Sequence, residues 1–199
     1  MEIGLQLSSE TPRGKPLDEQ INEMITHTSV ADDAGFDWVG MGQHYLLDKP
    51  KPQTVPMLAR VAAETDQMGV YTGILLLPLH HPVEIAEQFA TLSHLADHVG
   101  LGVGVGYIDR EFTNFGIDQS TRVPRFTESL DIITQLWAGD TVTYDGDYYS
   151  TEDANLTAMP ATPPLVWCGG QVEPAIKRAA QIGDAWFPGP SLGLRELEE

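Results

Sequence analysis

Lysine is almost missing from this chain, with only Lys15, Lys49, Lys51 and Lys177 among 199 residues. Eleven basic residues stand against 29 acidic ones, a formal net charge of −18. A surface of that sign repels nucleic acid and anionic lipid, which argues against both as partners. Cysteine is nearly absent as well. The lone Cys168 cannot form an internal disulfide, and at the end of an apolar run it reads as a buried thiol, not a nucleophile. No apolar stretch approaches the length of a membrane span. Met1 leads directly into Glu2-Ile3-Gly4-Leu5, without the charged and apolar regions of a secretory signal, so the expectation is a soluble cytoplasmic protein.

Several catalytic motifs are also lacking. There is no G-x-S-x-G elbow and no Lys-Ser or Lys-Thr of a phosphate-binding loop. A dinucleotide fingerprint read from Gly104 fails, because Asp109 stands where the third glycine belongs. His80-His81 does not read as a metal site: neighbours on a strand point to opposite faces, and no third ligand has the right spacing. No metal is expected. His94, Asp97 and His98 lie near a helix end, where a cation offsets the dipole.

The acids are scattered along the chain and not gathered in a tail. Such a surface suits a halophilic source, since the screening length shrinks to roughly 3 Å at 1 M salt. An ordinary acidic enzyme is the other reading.

What is present is a single domain over residues 1–199, 42% hydrophobic, in which strand and helix alternate. Strands are predicted at Glu2–Leu7, Phe36–Gly40, Tyr71–Leu77, Gly100–Val105, Leu165–Cys168 and Ala185–Phe187. Helices are predicted at Leu17–Ala34 with Gly35 as cap, Val55–Met68 stopping at Gly69, Pro82–Ala96, Pro124–Ala138 and Glu173–Ile182. A long loop runs from Gly106 to Val123, and a β-hairpin insertion near 141–149 turns at Asp145-Gly146. Arg195–Glu199 begins another helix or frays. Alternation of this kind implies a parallel sheet with helical crossovers. An open doubly wound sheet and a closed barrel both remain open on periodicity.

Chemistry in barrels gathers after the C-terminal ends of strands. Gly40-Met41-Gly42-Gln43-His44 follows the second strand, and His44 is either a proton-transfer group or a surface loop residue. Gly100, Gly102, Gly104 and Gly106 share one face of the fourth strand. Each interior glycine there costs about 0.5–1 kcal/mol relative to alanine. Either a flat ligand lies on the bare face or the interior is too crowded for side chains. Gly169-Gly170 precedes a helix and is either a phosphate site or a tight turn.

Taken together, Trp38-Val39-Gly40 with Gln43-His44, Gly73–Pro82, Leu101–Tyr107 with Glu111-Phe112 and Phe115-Gly116, Leu136-Trp137, Pro163–Gly170 and Gly183–Pro188 resemble, in order, the bacterial luciferase-like flavin-dependent oxidoreductases. The resemblance implies a TIM-type (β/α) barrel that binds FMN or coenzyme F420 at its C-terminal mouth. Members use reduced FMN with oxygen or move hydride to and from F420, acting on a small organic substrate. His44 matches the family's catalytic histidine. Gln43, Gly73, Ile74, Leu75, Gly104, Val105, Gly106, Tyr107, Gly169, Gly170 and Gln171 match cofactor-binding segments, with a non-prolyl cis peptide falling at 73–75. Two departures stand out. Ala96-Asp97-His98-Val99 replaces a Ser-Gly-Gly-Arg-like turn, and family members continue through two more strand–helix units. The expected fold is therefore an incomplete barrel of about six of the eight units. A homo-oligomer, as a dimer, would complete such a chain. A non-catalytic remnant or a flavin-binding partner subunit is the competing reading.

Overall fold

The structure is a computed structural model that describes residues 1–7 and 15–189. The element expected at Arg195–Glu199 lies outside the described residues. The chain runs β1 (Gly4–Gln6), α1 (Leu17–Asp33), β2 (Trp38–Met41), α2 (Thr54–Ala62), β3 (Gly69–Thr72), β4 (Leu75–Leu76), α3 (Pro82–Leu92), β5 (Val99–Gly104), α4 (Asp109–Phe115), α5 (Arg122–Trp137), β6 (Val142–Asp145), β7 (Ser150–Ala154), β8 (Leu165–Gly169), α6 (Glu173–Ile182) and β9 (Ala185–Phe187). The main sheet is parallel in the order β1-β2-β3-β5-β8-β9, with β4 added to β5.

Side-chain alternation decides between barrel and open sheet. Val39, Met41, Val70, Leu101, Val103, Val166 and Cys168 point to one face and share a core with residues of α1, α2, α3, α5 and α6, among them Met24, Leu58, Phe89, Ile133 and Ala179. Fully burying a side chain such as Phe89 contributes roughly 1.5–3 kcal/mol. The other face carries glycines and rings. Tyr71 sits over Gly40 and Gly100, Trp38 sits over Gly69, and Trp167 stacks on Phe187 with centroids 6.3 Å apart. Helices cover only the first face, so the sheet is an incomplete α/β barrel and its concave face is the barrel interior. Burial raises the Tyr71 phenol to about 12, so the ring stays neutral there.

Four expectations change. Tyr71–Leu77 is not one strand. Between the pairs Tyr71↔Gly100 and Leu75↔Val103, the β3–β4 side advances four residues while β5 advances three. One extra residue is inserted, a bulge of the kind found beside active sites. The cis peptide joins Gly73 and Ile74 at that bulge. The Gly106–Val123 loop contains α4, which ends at Gly116 with φ +68, the left-handed cap that suits glycine. Helix α2 stops at Ala62, and the chain turns through Thr65 and Asp66, whose N–H reaches the Asp32 carboxylate at 3.1 Å. Helix α3 stops at Leu92, where the Ser93 hydroxyl donates to the Ala90 carbonyl at 2.7 Å and competes with helix continuation.

The hairpin is real and slightly longer than Asp145-Gly146 suggests, because its turn closes from the Gly146 N–H to the Tyr149 carbonyl at 3.0 Å. Glu128 on α5 accepts the N–H groups of Asp147, Tyr148 and Tyr149 at 3.0–3.1 Å and holds that turn open. The Tyr149 hydroxyl donates to the His80 carbonyl at 3.1 Å, tying the hairpin to the segment after β4.

Among the described residues the lysine and arginine ion pairs are Lys15–Glu23, Arg60–Glu64, Arg110–Asp48 and Lys177–Glu173. All involve exposed or half-exposed partners and are worth little individually. They do not offset a charge of −18. Thermal melts should therefore shift upward as salt rises from dilute buffer to the molar range, because screening relieves self-repulsion. A melting temperature that is flat or falls with added salt would remove the halophilic reading.

Candidate active site

The C-terminal ends of β2, β3, β5 and β8 meet on one rim, as parallel strands require. Each contributes one piece. After β2 the chain passes through Gly42, where a Cβ would approach the Gly73 carbonyl oxygen to 2.6 Å. The Gln43 N–H then donates to the Ile74 carbonyl at 2.9 Å, which fixes the β2 loop against the bulge.

Gln43 itself faces inward and is buried. Its Oε1 accepts from the Leu76 N–H at 3.1 Å and pairs with His80 Nε2 at 2.9 Å, while its Nε2 donates to the Tyr45 hydroxyl at 2.9 Å. The amide is engaged by the protein and supports the rim from behind. Burial lowers the His80 pKa and favours the neutral ring. Burial, with Glu84 and Glu111 nearby, raises the Tyr45 phenol to about 12. This network is thus uncharged at neutral pH, as a buried polar cluster should be.

His44 turns the other way. Its side chain is one-quarter exposed, its ring meets Tyr107 edge-on with centroids 5.8 Å apart, and its Nδ1 lies 3.1 Å from Glu111 Oε1. The same oxygen accepts the Tyr45 N–H at 2.6 Å. Glu111 is wholly buried, and its Oε2 has no hydrogen-bond partner among the described residues. Tyr107 is three-quarters exposed at the lip. Gly106 precedes it with φ +76, and a Cβ there would press on the Phe112 ring at 3.0 Å, so glycine suits both the backbone and the packing. Val105 packs on the core.

Ile74 fills the space that the glycine face leaves. Its Cδ1 lies where a Cβ on Gly104 would stand, 2.1 Å away, and 3.0 Å from one on Gly169. Gly102 faces the Thr72 carbonyl oxygen. The bare face of β5 is therefore occupied by the protein's own atoms, and a cofactor on this rim would rest on Ile74, not on the glycines. Leu75 points to the helical side and is fully buried. Gly73 has Gln6 against it, whose amide donates to the Gly73 carbonyl at 2.9 Å.

Just after β8 the Gly170 carbonyl accepts the Trp186 indole N–H at 2.7 Å, and a Cβ on Gly170 would strike the Ala175 Cβ. Gly170 allows α6 to pack closely on the strand. Gln171 is exposed and its side chain lies against Gly189. The structure thus gathers His44, Ile74, Tyr107 and Gly169 on one rim, and places Gln43, Leu75 and Val105 behind it. Sequence reasoning noted Glu111 only as part of a motif. Its available signal was position: four residues before Phe115, which ends α4, and five after the Gly106 turn.

Burial raises the Cys168 thiol to about 11, which keeps it protonated and unreactive. No group of acids, histidines and cysteine among the described residues could hold a metal. No helix among them is long and apolar enough to cross a membrane. A cleft of about 450 Å³ opens at the opposite end of the strands, lined by Asp32, Asp37, Asp66, Trp38 and His98. It lies away from every residue just described.

The family model described as luciferase-like monooxygenase matches residues 1–199. The chain belongs to that family. Among curated relatives, an F420-dependent glucose-6-phosphate dehydrogenase of Beutenbergia cavernae is 34% identical over 88% of this chain and 54% of its own length. An F420-dependent hydroxymycolic acid dehydrogenase of Mycobacterium tuberculosis is 27% identical over 93% of this chain and 52% of its own. The chain spans about half the length of these curated relatives. Among solved structures, monooxygenase RslO1 from Streptomyces bottropensis superposes with a TM-score of 0.90 at 25% identity, over 98% of this chain and 62% of that one. An F420-dependent secondary alcohol dehydrogenase, solved with an F420-acetone adduct, gives 0.80 at 25% identity over 93% of this chain and 57% of its own. These likenesses agree with the incomplete barrel and with the luciferase-like resemblance read from the sequence.

Proposed function

We propose that this chain binds coenzyme F420 at the C-terminal rim and serves an oxidoreductase that moves hydride between F420 and a small alcohol or carbonyl compound. The observation that carries the reading is His44, one-quarter exposed in the loop after a barrel strand, with its Nδ1 3.1 Å from the buried Glu111 carboxylate. The residues suit a flat cofactor: Ile74 offers a partly exposed apolar platform beside Gly169, and Tyr107 stands at the lip. F420, when bound, supplies the position that accepts or releases hydride. His44 Nε2 takes the proton of the substrate hydroxyl, or returns it to the alkoxide in the reverse direction. Ile74 would hold the ring and exclude water from it. Tyr107 and the half-exposed Phe115, whose ring lies 4.7 Å from that of Tyr45, give the mouth an apolar margin. The F420-dependent relatives support this choice of cofactor.

The test is titration of the protein in molar salt with F420 and, separately, with FMN, followed by fluorescence and by mass analysis of whatever co-purifies. Saturable binding of F420 at one site per chain is expected. Binding of FMN instead moves the reading to oxygen-dependent monooxygenation, as in RslO1 by its name. A folded protein that takes up neither overturns the proposal and leaves the non-catalytic alternative.

A further inference from the structure

We infer that Glu111 is the positioning residue of His44, fixing the neutral ring with its proton on Nδ1 and Nε2 as a bare acceptor. The inference rests on the proton-transfer role proposed for His44, but its first test does not.

Glu111 is the only charged residue buried in the structure among the described residues, although the chain holds 29 acids. Burying a carboxylate is expensive unless its oxygens are satisfied. Here one oxygen takes both donors, the Tyr45 N–H at 2.6 Å and His44 Nδ1 at 3.1 Å, and the other takes none among the described residues. A fold that needed only to join α4 to the β2 loop could do so with a neutral side chain. A buried, half-satisfied carboxylate is the kind of exception that calls for a reason.

The reason follows from chemistry. An ionised carboxylate only accepts hydrogen bonds, so the nitrogen facing it must carry the proton. With Nδ1–H held, the neutral ring leaves a lone pair on Nε2. The same contact fixes the ring's orientation, as the Tyr45 N–H anchors the carboxylate and the Tyr107 ring stands nearly perpendicular to the imidazole with centroids 5.8 Å apart. Helix α4 is built to deliver this group. Gly106 turns the chain at φ +76, and the helix begins at Asp109 with Glu111 in its first turn, where the dipole favours an anion.

The experiment is nitrogen-15 spectroscopy of the folded protein in molar salt, with the His44 ring assigned by comparison with His44→Gln. Above neutral pH the wild-type ring is expected as the Nδ1–H form. Glu111→Gln can still present a carbonyl oxygen to both donors and should keep that form. Glu111→Leu should lose it, shifting the ring toward Nε2–H. A wild-type ring found as Nε2–H overturns the inference, whether or not the leucine variant folds. So does a folded Glu111→Leu with an unchanged tautomer. Where F420-linked turnover is measurable, Glu111→Leu should lower kcat roughly 10- to 100-fold, the range for losing a partner that orients a working side chain. KM for cofactor should move much less. Failure of cofactor binding with the tautomer as expected would strike the proposed function alone.

Discussion

Gly102→Ala should cost more stability than any other methyl added to β5, about 3 kcal/mol, the upper part of the range for overpacking a tight interior. In a protein of this size that corresponds to a fall in melting temperature of roughly 6–12 °C. The reason is what the new Cβ would meet: the carbonyl oxygen of Thr72 at 1.8 Å, a backbone atom that cannot swing aside. Thr72 is also held from the other side, because its hydroxyl donates to the Gly102 carbonyl at 2.8 Å. The bulge pushes that carbonyl toward β5, and only glycine leaves room for it. Gly104→Ala is the informative partner. Its Cβ would meet the Cδ1 of Ile74 at 2.1 Å, the far end of a flexible side chain. It should lose much less, and combining it with Ile74→Val should recover most of the loss. Thermal melts of the three variants decide the matter. Equal losses at Gly102 and Gly104, or no rescue by Ile74→Val, would mean the register shift is misread.

This contrast also explains which parts of the molecule could be read from its sequence. The parallel sheet was legible because Val39, Met41, Leu101, Val103 and Val166 give the helical side an unbroken apolar pattern. Which way the sheet closes was less so, since the barrel interior is written in glycines and rings that have no period of their own. The glycine face of β5 was legible as bare but not as filled. Its occupants are Tyr71 and the Thr72 carbonyl of β3, Ile74 of the bulge that follows and Trp167 of β8, and a single strand's sequence does not reveal its neighbours' register. The run from Tyr71 to Leu77 is apolar on both faces, so a one-residue slip leaves its pattern unchanged. Helix α4 was hidden for another reason. Seven residues with only Glu111 and Phe112 buried give too short an apolar stripe to stand out. Glu111 itself was invisible as a special acid because 28 others surround it in composition, and burial is a property of the fold.

The largest functional effect is expected at His44. His44→Ala should leave F420 affinity within a few-fold of the wild type, because the proposed platform is Ile74, which the substitution does not touch. Turnover should fall about 10²–10⁴-fold, the usual contribution of a positioned general acid or base. The ring sits on a loop pinned at both ends, by the Gln43 N–H on the Ile74 carbonyl at 2.9 Å and by the Tyr45 N–H on Glu111 at 2.6 Å. Removing the imidazole should therefore not move the backbone, and melting temperature should change little. An added small imidazole should restore part of the rate if the ring's role is chemical. The assay requires a form of the protein that turns over, whether this chain or a longer one that contains it. An alanine variant with full turnover, and with no response to added imidazole, would reduce His44 to a loop residue. The proton would then have to be taken elsewhere on the rim.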